Sequence, residues 1–314
     1  MSSSIQTICL LLLGLLECST AAGWHYGSHD SSSDPPGWAT LPNSVCGGQF
    51  QSPINVPSVT KQDYSIISNF RLQGFSDVSK YTTTMKNNGH TLQVDVVSGD
   101  LTVAGGGLPG NTYKTAQLHF HWGHDNSDGS EHNYDGRPYP MEMHVVNYNL
   151  KYGSLGGAID KSDGLAVLGF WVTYTTNDNA AFSPLISAIG NLTYKDTNTA
   201  VAVDIGALLP KRINRFYRYR GSLTTPPCFE SVTWTMFEEK IFLSRQQLAK
   251  FRSVSEGAIG HSDPLVDNYR PVKALNGRKV LRNFRLEEEI NSASHFSSIG
   301  MTLTIMITIL RSFL

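Results

Sequence analysis

The chain has 314 residues, 40% apolar and 16% charged, the makeup of a packed globular protein of one large domain or two ordinary ones. Net charge is −1, and no Lys/Arg run exceeds a pair such as Lys211-Arg212. That argues against electrostatic capture of nucleic acid or of an anionic membrane surface.

In chain order, residues 1–22 come first, with the apolar run CLLLLGLL at 9–16 followed by small residues, ECSTAAG. The run falls far short of the roughly 20 apolar residues of a membrane span, so it reads as a secretory signal cleaved near Ala21 or Ala22. Of four cysteines, Cys9 and Cys18 leave with the signal, and Cys46 and Cys228 remain. An oxidising compartment allows one bridge between them. Closing so long a loop is worth about 4–5 kcal/mol in the chain-entropy model. Secretion also makes Asn191, in the sequon NLT, a glycan acceptor.

The body reads mostly as strands. TLQVDVV at 91–97 alternates, GLAVLGFWVTY at 164–174 is a buried apolar run, and SVTWTMF at 231–237 is rich in β-formers. Turn clusters such as KNNGH and GHDNSDG punctuate them, and SRQQLAKFR at 244–252 predicts a short helix behind a capping serine. No Pro/Ser-rich linker divides this stretch, so a single mainly β (α+β) domain is expected over 23–286. At the far end, NSASHFSS precedes the apolar tail IGMTLTIMITILRSFL. Small residues, a polar spacer and a terminal hydrophobic tail over 287–314 form the pattern of a GPI-attachment signal; the rival reading is a tail left in place.

QLHFHWG at 117–123 sets two histidines in an apolar run. On a strand, Gln117, His119 and His121 point to one face and Leu118, Phe120 and Trp122 to the other. The pair alone also fits a buried strand whose polar groups each find a partner. A third histidine follows in MEMHVVNYN at 141–149, where Glu142, His144 and Val146 share a face. The Gly/Asp/Asn/Pro-rich connection at 123–140 suits a long hairpin loop, which sets His144 beside the first pair. Three neutral imidazoles with an open fourth position make a catalytic rather than a structural zinc site. Gln117 and Glu142 each precede a histidine by two residues, where they can hold its second N–H.

With these motifs in hand, the sequence resembles the α-class carbonic anhydrases over about 24–286. The resemblance is carried in order by QSPIN (51–55), NNGH (87–90), QLHFHWG, GSEH (129–132), EMHVVNYN, GSLTTPP (221–227) and NYRP (268–271). It implies a central, twisted, mostly antiparallel sheet of about ten strands, with short peripheral helices and long loops. It implies Zn2+ on His119, His121 and His144, and reversible hydration of carbon dioxide to bicarbonate by attack of zinc-bound hydroxide. It also implies inhibition by sulfonamides and small anions.

By the same resemblance, Thr224 accepts from the hydroxide and donates to Glu131, while Thr224 and Thr225 meet substrate. Val146, Val167, Leu223 and Trp234 form the apolar wall for carbon dioxide. His90 is the proton shuttle, and Tyr26, Asn88 and Gln93 order water between it and the metal; Gln93 departs from the commoner Asn. Gln117, Glu142 and Asn268 support the ligands, and His132 and Arg270 are structural. His25, His29, His124, His261 and His295 read as surface or local polar residues. A reading from another class stands beside this one: a non-catalytic extracellular binding or mineral-matrix module on the same fold.

Overall fold

A computed structural model describes residues 23–27, 34–66, 68–110, 112–261 and 263–286. The signal-like leader at 1–22, the spacer and tail at 287–314, and with them His29 and His295, lie outside the described residues.

The first strands are β1 (Asn55–Val56), β2 (Lys61–Gln62), β3 (Phe70–Gln73), β4 (Thr82–Asn87), β5 (Leu92–Ser98), β6 (Thr102–Gly105) and β7 (Tyr113–Trp122). After them come β8 (Asn133–Tyr134), β9 (Met141–Asn149), β10 (Leu165–Thr175), β11 (Thr197–Ala200), β12 (Phe216–Gly221), β13 (Val232–Ser244) and β14 (Leu281–Arg282). Among the described residues four short α-helices lie between them: α1 (Leu155–Ala158), α2 (Ser183–Ile189), α3 (Ile205–Leu208) and α4 (Arg245–Phe251). Among the described residues no helix is long and apolar enough to cross a membrane.

The main sheet runs β11-β4-β5-β7-β9-β10-β13-β12-β14-β2, with β3 and β6 attached beside it. That path has the ten strands expected, and the two extra strands bring the sheet to 12. Pairing is antiparallel except for β10 with β13 and β14 with β2. The parallel pair explains why 164–174 lacks alternation, because a strand covered on both faces is apolar throughout. By contrast β5 keeps its alternation: Leu92 and Val94 are buried while Gln93 and Asp95 are half-buried on the opposite face.

The predicted helix is α4, capped by the Ser244 hydroxyl on the Gln247 N–H, with the Gln247 side chain answering the Ser244 N–H. This reciprocal box satisfies two donors that a helix start leaves open. The NNGH stretch is the β4–β5 turn, and Gly89 sits there at φ 84°, a left-handed conformation that favours glycine.

Register across the sheet places the chemistry. One row runs Lys86, Gln93, His119, His144 across β4, β5, β7 and β9. The next runs Asp95, Gln117, Val146, Val167, Trp234 out to β13. On the opposite face of β7, Leu118, Phe120 and Trp122 are fully buried in the larger apolar core, beside Phe170, Phe237 and Phe251.

Cys46 and Cys228 are joined by a disulfide that closes a separation of 182 residues. Both are buried against Trp38. Replacing both by serine is expected to destabilise the protein by about 2–5 kcal/mol. Urea denaturation reads this as a lower midpoint, and an unchanged midpoint would show the bridge to be energetically idle.

Candidate active site

The three histidines converge. His121 Nε2 lies 3.2 Å from His144 Nδ1, which lies 3.3 Å from His119 Nε2. The other ring nitrogens are committed elsewhere: His119 Nδ1 to Gln117 Oε1 at 2.8 Å, His121 Nδ1 to the Asn268 carbonyl at 2.7 Å, and His144 Nε2 to Glu142 Oε1 at 2.5 Å. Those oxygens only accept, so each of these nitrogens carries the proton. The three inward nitrogens therefore present bare lone pairs to one another.

Burial lowers the pKa of all three rings, and their mutual repulsion adds to this for His119 and His121, the latter falling to about 3. Each is neutral at physiological pH. Three facing lone pairs repel, and a shared cation relieves them. A tetrahedral ion with ligands at about 2.0–2.1 Å spaces its donors by about 3.3 Å, the separation observed. The residues present thus fit a zinc ion, and these three form one of the groups whose donor atoms lie close enough to hold it.

Glu142 anchors this set from behind. Its Oε1 accepts from His144 Nε2 and from His132 Nδ1 at 2.7 Å, and its Oε2 accepts the His132 backbone N–H at 2.8 Å. Burial alone would raise its carboxyl, but the two imidazoles outweigh burial and hold it below the usual carboxylate range. His132 Nε2 in turn lies 2.6 Å from the Tyr219 hydroxyl.

Asn268 does two jobs. Its carbonyl receives His121, while its side chain receives the Trp122 N–H at 2.7 Å and donates to the His90 carbonyl at 2.9 Å. The histidine turn and the ligand strand are therefore pinned to one residue.

Glu131 is fully buried, with Oε1 accepting the Arg270 backbone N–H at 2.9 Å. Its Oε2 has no hydrogen-bond partner among the described residues and lies 3.4 Å from His121 Nε2. Burial pushes this carboxyl well up, and the Thr224 hydroxyl pulls it back. Arg270 fixes the surrounding loops through the carbonyls of Ser52 and Cys46 and through Gln51 Oε1.

Val146, Val167 and Trp234 lie in one register row and one apolar cluster, with Leu223 packed against it. The Trp234 ring stands 4.8 Å from the His144 ring, so this wall flanks the three nitrogens. Thr224, buried, and Thr225 follow β12, where the Cys228 N–H returns to the Thr225 carbonyl at 2.9 Å. Tyr26 packs on Trp24 and Trp38, and Glu131 acts on it electrostatically. Asn191 is exposed at the turn after α2.

His90, matched to the proton shuttle by resemblance, titrates well below the ordinary imidazole range. It stacks on Trp24 at 3.9 Å between centroids, and burial, with help from Lys195 and His25, lowers its pKa to about 4. His25 and His261, read as surface or local residues, line a pocket of about 350 Å3 with His90 and Lys195.

A model of the eukaryotic-type carbonic anhydrases matches residues 33–284. The chain belongs to the carbonic anhydrase family. It is 36% identical to carbonic anhydrase 15 of Mus musculus over 281 residues, 86% of either chain. It is 34% identical to carbonic anhydrase 6 of Homo sapiens over 296 residues, 92% of either chain. To carbonic anhydrase 4 of Rattus norvegicus it is 36% identical over 259 residues, 78% of this chain and 82% of the relative.

Membership makes this an enzyme of carbon dioxide hydration and does not favour a non-catalytic module. The carbonic anhydrase family is zinc-dependent, and the three-histidine group is one that could bind a metal. Two features near the ligands were not foreseen from the sequence. The bridge from Glu142 to His132 joins residues ten apart across a loop, which strand alternation does not show. Asp95 sits on the site's own face of β5, a position that alternation in TLQVDVV already marked.

Proposed function

We propose that the chain is a zinc-dependent carbonic anhydrase acting on carbon dioxide and bicarbonate, with His119, His121 and His144 as metal ligands and His90 as proton shuttle. The observation that carries this reading is the set of three inward-facing, proton-free ring nitrogens. Zinc held there supplies a Lewis acid that brings the pKa of water to about 7, the value known for carbonic anhydrase.

The remaining steps belong to the chain's own residues. Glu131, an acceptor when ionised, draws the Thr224 hydroxyl proton toward itself, so Thr224 is left to accept from whatever lies at the site. Only a group with a proton to give satisfies that position, which orients the nucleophile and discriminates among bound anions. The Thr224 backbone N–H serves the substrate oxygen, with Thr225 beside it. Val146, Val167, Leu223 and Trp234 offer carbon dioxide an apolar surface and keep competing water away. His90 carries the product proton outward, along a path that Tyr26, Asn88 and Gln93 help to order. Burial beside Trp24 disfavours the charged ring, so a more solvent-facing rotamer of His90 would carry the proton more readily.

His90→Ala is expected to lower kcat at low buffer by about 10–100-fold, at or below the lower range for a positioned proton-transfer group. Imidazole in the buffer restores it; unchanged kcat removes His90 from the mechanism. The whole reading is tested by stopped-flow hydration of carbon dioxide on zinc-replete protein, where turnover depends on zinc and an aromatic sulfonamide blocks it. Zinc-loaded protein without turnover would return the chain to the binding-module reading.

The disulfide and the leader at 1–22 support an extracellular location. The tail at 287–314 supports a GPI anchor, and Asn191 supports a glycan. Mass spectrometry of the mature termini and of the Asn191 peptide reads all three modifications directly.

A further inference from the structure

Beyond the ligands, the polar face of the sheet continues outward as a hydrogen-bonded chain. Lys86, Gln93 and His119 stand in register on β4, β5 and β7, and Asp95 follows Gln93 on the same face. Lys86 Nζ lies 2.6 Å from Asp95 Oδ2, and Gln93 Nε2 donates to Asp95 Oδ1 at 2.5 Å. Asn88 Nδ2 approaches Gln93 Oε1 at 3.5 Å, while Asn88 Oδ1 accepts the backbone N–H groups of His90 and Thr91, each at 2.9 Å.

A glutamine amide has a donor end and an acceptor end, and rotation about its last bond exchanges them at small cost. Asp95 removes that freedom. An ionised carboxylate accepts only, so the flipped amide would set Gln93 Oε1 against it. The charge-assisted bond strengthens the preference, and Lys86 holds the carboxylate in place. Both carboxylate oxygens are engaged, one by each partner.

We propose that Asp95, steadied by Lys86, is a positioning residue for proton transfer: it locks the Gln93 amide with its carbonyl oxygen toward Asn88 and the His90 turn. The inference rests on the shuttle reading above and adds a direction to it. A fixed acceptor beside His119 takes an O–H or N–H from its neighbour in the proton path. A freely turning amide would offer a donor part of the time and interrupt that order.

The test uses the full chain, with His90→Ala as reference. Asp95→Asn is expected to lower kcat at low buffer by about 2–10-fold, the rate equivalent of one hydrogen bond, with a smaller drop in kcat/KM. Added to Gln93→Leu, the same substitution should cost nothing further, because its effect passes through Gln93. In zinc-free protein, the Gln93 side-chain amide proton should shift upfield in the NMR spectrum of Asp95→Asn.

Additive losses in the double variant, equal drops in kcat and kcat/KM, or an unmoved amide resonance would each overturn the proposal. If His90→Ala slows low-buffer turnover while Asp95→Asn does not, only this inference fails. If His90→Ala leaves turnover intact, the shuttle reading itself is lost.

Discussion

Replacing His119 with alanine is expected to abolish zinc retention and carbon dioxide turnover together. The ring gives one of three inward nitrogens, and the two left behind leave the ion half-coordinated by protein. The loss of affinity should exceed the roughly 10–100-fold that removing a ligand's supporting partner costs. A second consequence separates this from damage to the fold. In zinc-free protein the three lone pairs repel, so removing one ring should lower the zinc-free denaturation midpoint far less than it lowers the zinc-loaded one. Metal analysis after dialysis, paired with urea melts of both forms, reads the two effects. Stoichiometric zinc in His119→Ala would strike the residue from the ligand set.

Glu142→Ala should have the second largest effect, and on both zinc and stability. One carboxylate oxygen holds His144 and His132, and the other holds the His132 backbone N–H. Truncation leaves two imidazoles and an amide buried without their acceptor. Breaking a buried charged network by removing one partner costs about 3–5 kcal/mol. Zinc affinity should fall by about 10–100-fold as His144 loses the group that fixes its tautomer and angle. Chelator competition measures the affinity and denaturation of the zinc-free form measures the stability. Weakened zinc with an unchanged midpoint would mean that His132 finds another partner.

Much of this site was legible in the sequence because strands alternate. Two-residue spacing alone placed Gln117, His119 and His121 on one face, and it gave His144 the supporting Glu142. The remaining assignments came through the motif resemblance: the pairing of Glu131 with Thr224 and the grouping of Val167 with Trp234. Those residues meet through long loops and through the parallel register of β10 and β13, which no local period encodes. The depressed His90 was hidden for a related reason. Its environment is Trp24, Lys195 and His25, all brought from distant parts of the chain. NNGH announces a turn and says nothing of what covers it.

The spacing of the site along the chain bears on the order in which it is assembled. All three imidazoles come from β7 and β9, strands joined by one connection, whereas Thr224 arrives on the loop after β12 and is tethered near Cys228. Contacts close in sequence form at lower entropic cost and earlier than remote ones. The metal ligands thus come from one local stretch, with His121 anchored from afar by the Asn268 carbonyl, and the groove that gives them chemistry needs β10 and β13 to pair across the intervening chain. A polypeptide stopped before Thr224 would own every ligand and still lack both the Asn268 anchor and a reaction chamber.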